Sequence, residues 1–296
     1  MILQALKSVG IRTEAAYPLA QSSSFRIGGR ARLALFPDTR EQMLSALRIL
    51  AASDTPFWII GNASNVVFPD EGFDGAVLFT SAFRELTVEN ENVRAGAGVT
   101  LSQIALAARD ASLGGAAFAY GIPATLGGAV FMNAGAFGGC MADICESTLC
   151  YDLLKGELIT LSAAEQAFGY RSSIYEKTAR YAILEATLSL KAADRNAVDA
   201  DMKRYLAHRK ATQPLEYPSA GSVFKRPEGH YAGKLIEDCG LKGLRIGGAE
   251  VSQKHAGFIV NRGGATAADV KALVAEIQAR VLQNSGVQLE CEIRFL

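Results

Sequence analysis

The chain has 296 residues, more than one ordinary hydrophobic core accommodates, so two or three domains are expected. Its 30 basic and 30 acidic side chains cancel, which argues against a generic nucleic-acid binder and offers no attraction to anionic membrane surfaces. The five cysteines (Cys140, Cys145, Cys150, Cys239 and Cys291) form no CxxC pair and no zinc-ligand spacing, so no metal site is expected and reduced cytosolic thiols are.

The first twenty residues, MILQALKSVGIRTEAAYPLA, open as a short amphipathic helix, and their apolar run is too broken for a secretory signal. No window approaches the ~20 uninterrupted apolar residues of a membrane span. A soluble, cytoplasmic protein is expected. SSSFRIGG reads as a polar turn leading to a strand over 31–36. Asp38 and Glu41 have capping-box spacing for a helix near 39–52, with Leu44, Leu47 and Leu50 facing inward. Pro56 to Ile60 is a continuous apolar run of buried-strand type, and Ala76 to Thr80 reads as a further strand.

Leu86 to Arg94 reads as strand–turn–strand around Glu89-Asn90-Glu91-Asn92. Thr100 and Gln103 cap a helix near 101–112 that Gly114-Gly115 is expected to end. Strands follow at 147–154, 157–161 and 182–190, and a charged helix at 197–210 opens the last region. That region holds a short helix at 232–239, strands near 248–252 and 256–261, and a helix at 268–283. The last of these carries an apolar stripe of Val270, Leu273, Val274, Ile277 and Val281. From Val287 to Phe295 apolar residues alternate with Gln288, Glu290, Glu292 and Arg294, predicting a strand with those polar groups on one face.

Four stretches carry candidate chemistry. Tyr120 to Gly139, YGIPATLGGAVFMNAGAFGG, has six glycines and four alanines in twenty residues and no charge. Such density lets backbone approach a partner closely and lets N–H groups form anion-binding nests, so it reads as a wall for a large, flat, partly anionic cofactor or as a tightly packed core turn. Gly61-Asn62-Ala63-Ser64-Asn65 follows an apolar strand and could hold phosphate oxygens. It is neither GxGxxG nor a GK[ST] P-loop, so ordinary Rossmann and kinase readings lose support. In Phe168 to Tyr175, Arg171 sits among aromatics and small hydroxyls. It suits a carboxylate or enolate oxygen, or else stacks on a surface tyrosine. Ser222 follows Gly221 at an apolar strand start. Ala220 and Phe224 stand where a nucleophile elbow needs glycines, and three histidines (His208, His230, His255) leave a Ser-His-Asp hydrolase unsupported.

SFRIGG, the GxxSN turn, GIPATLGGAVFMNAGAFGG, YRSSIY, PSAGSVFKRP, AGKLIEDCGLKG, GGAEVSQKHAGFIVN and LECEIRF occur in one order from Ser22 to Arg294. With these motifs the chain resembles the MurB family, the UDP-N-acetylenolpyruvoylglucosamine reductases of peptidoglycan synthesis, in its shorter type without an extra tyrosine-bearing loop. Ala63 and Ala124 stand where the family often has glycine.

The resemblance implies a mixed α+β chain: a three-domain FAD-binding fold of the vanillyl-alcohol-oxidase (PCMH-type) superfamily. Residues 1–81 and 82–195 would hold FAD, and 196–296 would form the C-terminal substrate-binding domain. The cofactor-binding residues it implies are Gly61, Asn62, Ala63, Ser64 and Asn65 in one loop. In the other they are Gly121, Ile122, Pro123, Ala124, Gly127, Gly128, Asn133, Ala134 and Gly135. With no histidine before residue 208, FAD is expected to be non-covalent.

The implied reaction is NADPH-dependent reduction of UDP-N-acetylglucosamine enolpyruvate to its lactyl ether, UDP-N-acetylmuramate. Arg171 and a protonated Glu292 would stabilise an enolate-like oxygen, and Ser222 would deliver the proton to C2. Burial should raise the Glu292 pKa. The competing readings are an FAD-dependent oxidase or dehydrogenase of small hydroxy acids or alcohols, and a non-catalytic flavoprotein scaffold.

Overall fold

A computed structural model describes residues 2–296. Its backbone contacts separate two units, one made of residues 2–16, 32–62 and 74–208 and the other of 17–31, 63–73 and 209–296. Segments 17–31 and 63–73, which the sequence reading groups with residues 1–81, therefore cluster with the C-terminal residues.

The first unit contains a four-stranded and a five-stranded sheet. One has the strand order Arg12–Pro18, Arg30–Phe36, Phe73–Phe79, Phe57–Ile60. Its last two strands run parallel, with Phe57 opposite Ala76 and Ile60 opposite Phe79. Phe57–Ile60 reads as fully buried in sequence, yet only Ile60 is, because this strand lies at the edge of its sheet and lacks a neighbour on one side. The helix Arg40–Ala51 is capped one residue later than expected. Thr39 is the extended residue at its start and accepts from the Gln42 amide, while the Gln42 side chain accepts from the Asp38 amide. Asp38 and Glu41 do not form the box.

The second sheet is antiparallel throughout, in the order Glu157–Ser162, Cys145–Asp152, Tyr181–Ser189, Asn92–Gly96, Leu86–Glu89. Alternation along Tyr181–Ser189 switches phase at a register shift opposite Leu149 and Cys150, and its side chains divide between two cores. Ala182 and Leu184 join Leu33, Leu35, Leu47, Leu50 and Leu78. Ile183 and Ala186 join Ile104, Ala108, Leu126 and Val130 of the helices Leu101–Asp110 and Leu126–Phe131. Leu101–Asp110 has the expected Thr100–Gln103 capping box. Its exit is not made by Gly114-Gly115 but by Ser112, which adopts φ 57° directly after the Ala111 cap. The glycine-rich stretch is not all turn. It contains the helix Leu126–Phe131 and a tight hairpin of Gly135–Ala136 and Gly139–Cys140.

The second unit is an antiparallel sheet, Ser219–Ser222, Phe258–Asn261, Ala249–Val251, Arg245–Ile246. The helix Ala267–Ser285 buries all five residues of its predicted stripe. Thr266 and Asp269 cap its start, Asp70 accepts from the Ala267 and Ala268 amides, and Gly286 ends it at φ 71°. The alternating tail does not form one strand. Only Arg294–Phe295 pairs, in parallel with Val66–Val67, and Cys291 makes a single bridge to Phe224. The tail threads between two short partners, and neither is long enough to continue a ladder.

Candidate active site

In the first unit the two glycine-bearing loops meet. The Asn62 side chain donates to the Pro123 carbonyl at 3.4 Å. A Cβ built on Gly61 would stand 2.1 Å from the Thr125 hydroxyl, so the approach of these loops requires glycine there. That hydroxyl is buried and has no hydrogen-bond partner among the described residues. Thr125 is absent from the sequence-level site. Its signal was its place just before Leu126, where a helix N-cap stands, yet its side chain makes no cap bond.

The turn that follows is tied through its backbone groups to residues 97–102. Gly121, at φ 82°, donates to Ser102 Oγ at 3.2 Å. Leu101 donates to the Ala124 carbonyl, Leu126 to Val99 and Gly127 to Ala97. Ile122 and Ala124 pack against the core. A Cβ on Gly127 would meet the Ala97 methyl at 2.9 Å, and one on Gly135 would meet the Gly139 carbonyl at 2.6 Å. At these two positions glycine serves internal packing. At Gly128 the nearest atom to a Cβ is Thr125 Oγ1 at 3.7 Å, an ordinary contact.

Arg171 reaches the same stretch. Its guanidinium donates to the Gly135 carbonyl at 3.0 Å and to the Asn133 carbonyl at 3.4 Å, and it also lies 5.4 Å from the Tyr170 ring centroid. Asn133 is 6% exposed and Ala134 donates to the Ala129 carbonyl, so both residues are engaged within the protein.

In the second unit the structure brings Ser222 and Glu292 together. Ser219 pairs with Val260 and Ser222 with Phe258, so three steps on one strand match two on the other. This is a β-bulge, and Gly221 takes it up at φ 79°. Ser222 thus ends its strand rather than starting one. The next residue, Val223, accepts from the Glu292 amide at 2.8 Å, and Lys225 donates to the Glu290 carbonyl at 2.8 Å. On the other side of the tail, Asn65 donates from its side chain to the Glu292 carbonyl at 3.1 Å and accepts from the Arg294 amide at 3.0 Å.

The tail's carboxylates differ in environment. Glu290 is exposed and ion-paired with Lys225, whereas Glu292 is half-buried. Burial pushes the neighbouring Cys291 thiol up, which keeps it protonated at neutral pH. Ala63 is buried at φ 46°, and its carbonyl accepts from Ser24, whose hydroxyl also donates to the Ser219 carbonyl. Ser24 belongs to the Ser22–Ser24 run, whose sequence predicts only a turn. No group of His, Cys, Asp and Glu suited to a metal ion occurs among the described residues, and none of their helices is long and apolar enough to cross a membrane.

Residues 31–162 match the model of an FAD binding domain, and 213–296 match that of the C-terminal domain of UDP-N-acetylenolpyruvoylglucosamine reductase. A protein of that name from Lactobacillus delbrueckii subsp. bulgaricus is 41% identical over 296 residues, covering 100% of this chain and 99% of the relative. One from Exiguobacterium sibiricum is 45% identical over 280 residues, 94% of this chain and 91% of the relative. Among solved structures, the Thermus caldophilus UDP-N-acetylenolpyruvylglucosamine reductase (MurB) matches with TM-score 0.80 at 33% identity, covering 96% of this chain and 98% of that one. A berberine bridge enzyme variant matches with TM-score 0.53 at 14% identity over 66% of this chain and 44% of that one, a likeness of fold alone.

Proposed function

The chain belongs to the UDP-N-acetylenolpyruvoylglucosamine reductase family, and from that premise we propose which of its residues carry the reaction. The enzyme is an FAD-dependent oxidoreductase that uses NADPH and serves peptidoglycan synthesis. Its substrate is UDP-N-acetylglucosamine enolpyruvate and its product UDP-N-acetylmuramate. FAD, when bound, accepts a hydride from NADPH and passes it on, chemistry that no side chain supplies. The unpartnered Thr125 hydroxyl beside Gly61, in a space that a Cβ would fill, fits a polar ligand held between the two loops. Thr125, the backbone of Gly61 and Asn62, and the 121–128 turn would hold FAD non-covalently. Ala63, Ser64 and Asn65 continue the first loop.

Hydride addition at C3 of the enolpyruvyl group leaves negative charge on C2 and the carboxylate. The Arg171 guanidinium would bind that oxygen, and Glu292, holding a proton, would donate a hydrogen bond to it. Ser222 Oγ would then give its proton to C2, which completes the lactyl ether. The observation that supports these roles most directly is the hydrogen bond from the Glu292 amide to the carbonyl of Val223, the residue that follows Ser222. Residues 1–81 and 82–195 would serve the cofactor and 196–296 the sugar nucleotide. All five cysteines are free thiols, which supports a cytoplasmic setting, where NADPH is supplied.

Ser222→Ala tests the central role. Flavin reduction by NADPH should stay within about twofold of the parent. Reoxidation by the enolpyruvyl sugar should slow by about 10²-fold or more, the usual contribution of a positioned acid. Unchanged reoxidation would remove Ser222 from the mechanism.

A further inference from the structure

Resting on the role given to Arg171, we propose that Asn133 is a positioning residue that grips Arg171 from two sides, rather than a contact of the cofactor. Its side-chain amide is engaged inside the protein at both ends. Nδ2 donates to the Gly169 carbonyl at 2.8 Å, and Oδ1 accepts from the Ala142 amide at 2.9 Å. Gly169 lies two residues before Arg171. Two residues after it, Ser173 Oγ donates to the Phe131 carbonyl at 2.6 Å. The backbone on either side of Arg171 is therefore pinned to the segment 131–133. The carbonyls of Asn133 and Gly135 then take the guanidinium itself. Backbone and head group of one arginine are fixed to the same short stretch.

Asparagine suits this place for two reasons. The clasp needs a donor and an acceptor on two separate atoms of one short side chain, which an ionised aspartate, a serine or a leucine does not supply. It also needs φ 44°, a left-handed conformation that asparagine tolerates better than most residues. Arg171 stands at φ 53° and Phe137, in the hairpin that carries Gly135, also at φ 53°. Neither residue type favours that region, and such strain persists only where surroundings over-determine it. Asn133 and the Arg171 that it holds are thus both non-glycine residues of positive φ. Their common effect is to fix where the guanidinium charge points, and a misplacement of about 1 Å at a reacting centre can cost about 10²-fold in rate.

The test is Asn133→Ala, alone and combined with Arg171→Ala. We expect the single variant to slow reoxidation by the enolpyruvyl sugar about tenfold or more, with NADPH reduction and FAD affinity changed less than about threefold. In the Arg171→Ala background, Asn133→Ala should slow reoxidation no further. In the FAD-free protein, amide hydrogen exchange over 169–173 should rise while that of Cys145–Asp152 holds. Asn133→Asp, which keeps the size and the acceptor for Ala142 but loses the donor to Gly169, carries the same expectations should the alanine variant not fold. Loss of FAD with normal reoxidation per bound flavin would overturn the proposal in favour of a cofactor contact. Equal slowing with and without Arg171 would overturn it in favour of a general structural role. Normal reoxidation in Arg171→Ala alone would instead refute the role given to Arg171.

Discussion

Ala63 shows how one residue can carry strain at a site. It is buried at φ 46°, where an L side chain crowds its own backbone. Its carbonyl nevertheless takes both the Ser24 amide and the Ser24 hydroxyl. Replacing Ala63 by glycine removes the Cβ clash and adds unfolded-chain freedom, and at such a φ the first effect dominates. Ala63→Gly should stabilise the FAD-free protein by about 0.5–1 kcal/mol in urea unfolding. A loss of stability would mean that the methyl group's packing outweighs the strain. Sequence could place Ala63, Arg171, Ser222 and Glu292 in conspicuous motifs. It could not show that Arg171 rests on two backbone carbonyls, or that both ends of the Asn133 amide are used, because those bonds join residues 36 to 38 and 9 to 36 apart in the chain.

At the scale of elements, what was legible followed local rules. The Thr100–Gln103 box, the Leu86 to Arg94 hairpin and the stripe on Ala267–Ser285 are set by residues within a few positions of one another. The tail failed as a strand because alternation reports burial, and Leu289 and Ile293 are buried without a ladder beside them.

One junction carries a pH signature. Asp152 ends the strand Cys145–Asp152 with its side chain wholly buried, accepts from the Leu154 and Lys155 amides, and takes Arg180 Nε on both oxygens at 2.9 and 3.0 Å. The Arg180 hydrogen bond leads the causes that hold its carboxyl down at about 2. An unfolded-chain aspartate titrates near 3.9, so the unfolded state takes the proton first as pH falls. The stability this group contributes is present above about pH 4 and is lost between about 4 and 2. Asp152→Asn should be less stable at neutral pH and should show a flatter acid limb in that window. Parallel stability curves would show that the pair does not govern it.

The whole molecule poses a problem that no local pattern solves. Segments 17–31 and 63–73 leave their chain neighbours and cluster with residues 209–296. Phe25, Ile27 and Val67 accordingly share a core with Val270, Leu273 and Ile277, some two hundred residues away. Hydrophobic periodicity says that such residues are buried but not against what, and chain length and shifts in composition give a domain count and contiguous boundaries but no interleaved partition. The same interleaving puts Asn62 in one unit and Ala63 in the other, within a loop that sequence read as one site.

The reductase assignment stands above these details, and one measurement meets it directly: the visible spectrum of the purified protein under anaerobic conditions, as NADPH and then the enolpyruvyl UDP-sugar are added. The flavin band should bleach with NADPH and return with the sugar. A band that bleaches and returns only when oxygen is admitted would contradict the assignment and point to an oxidase.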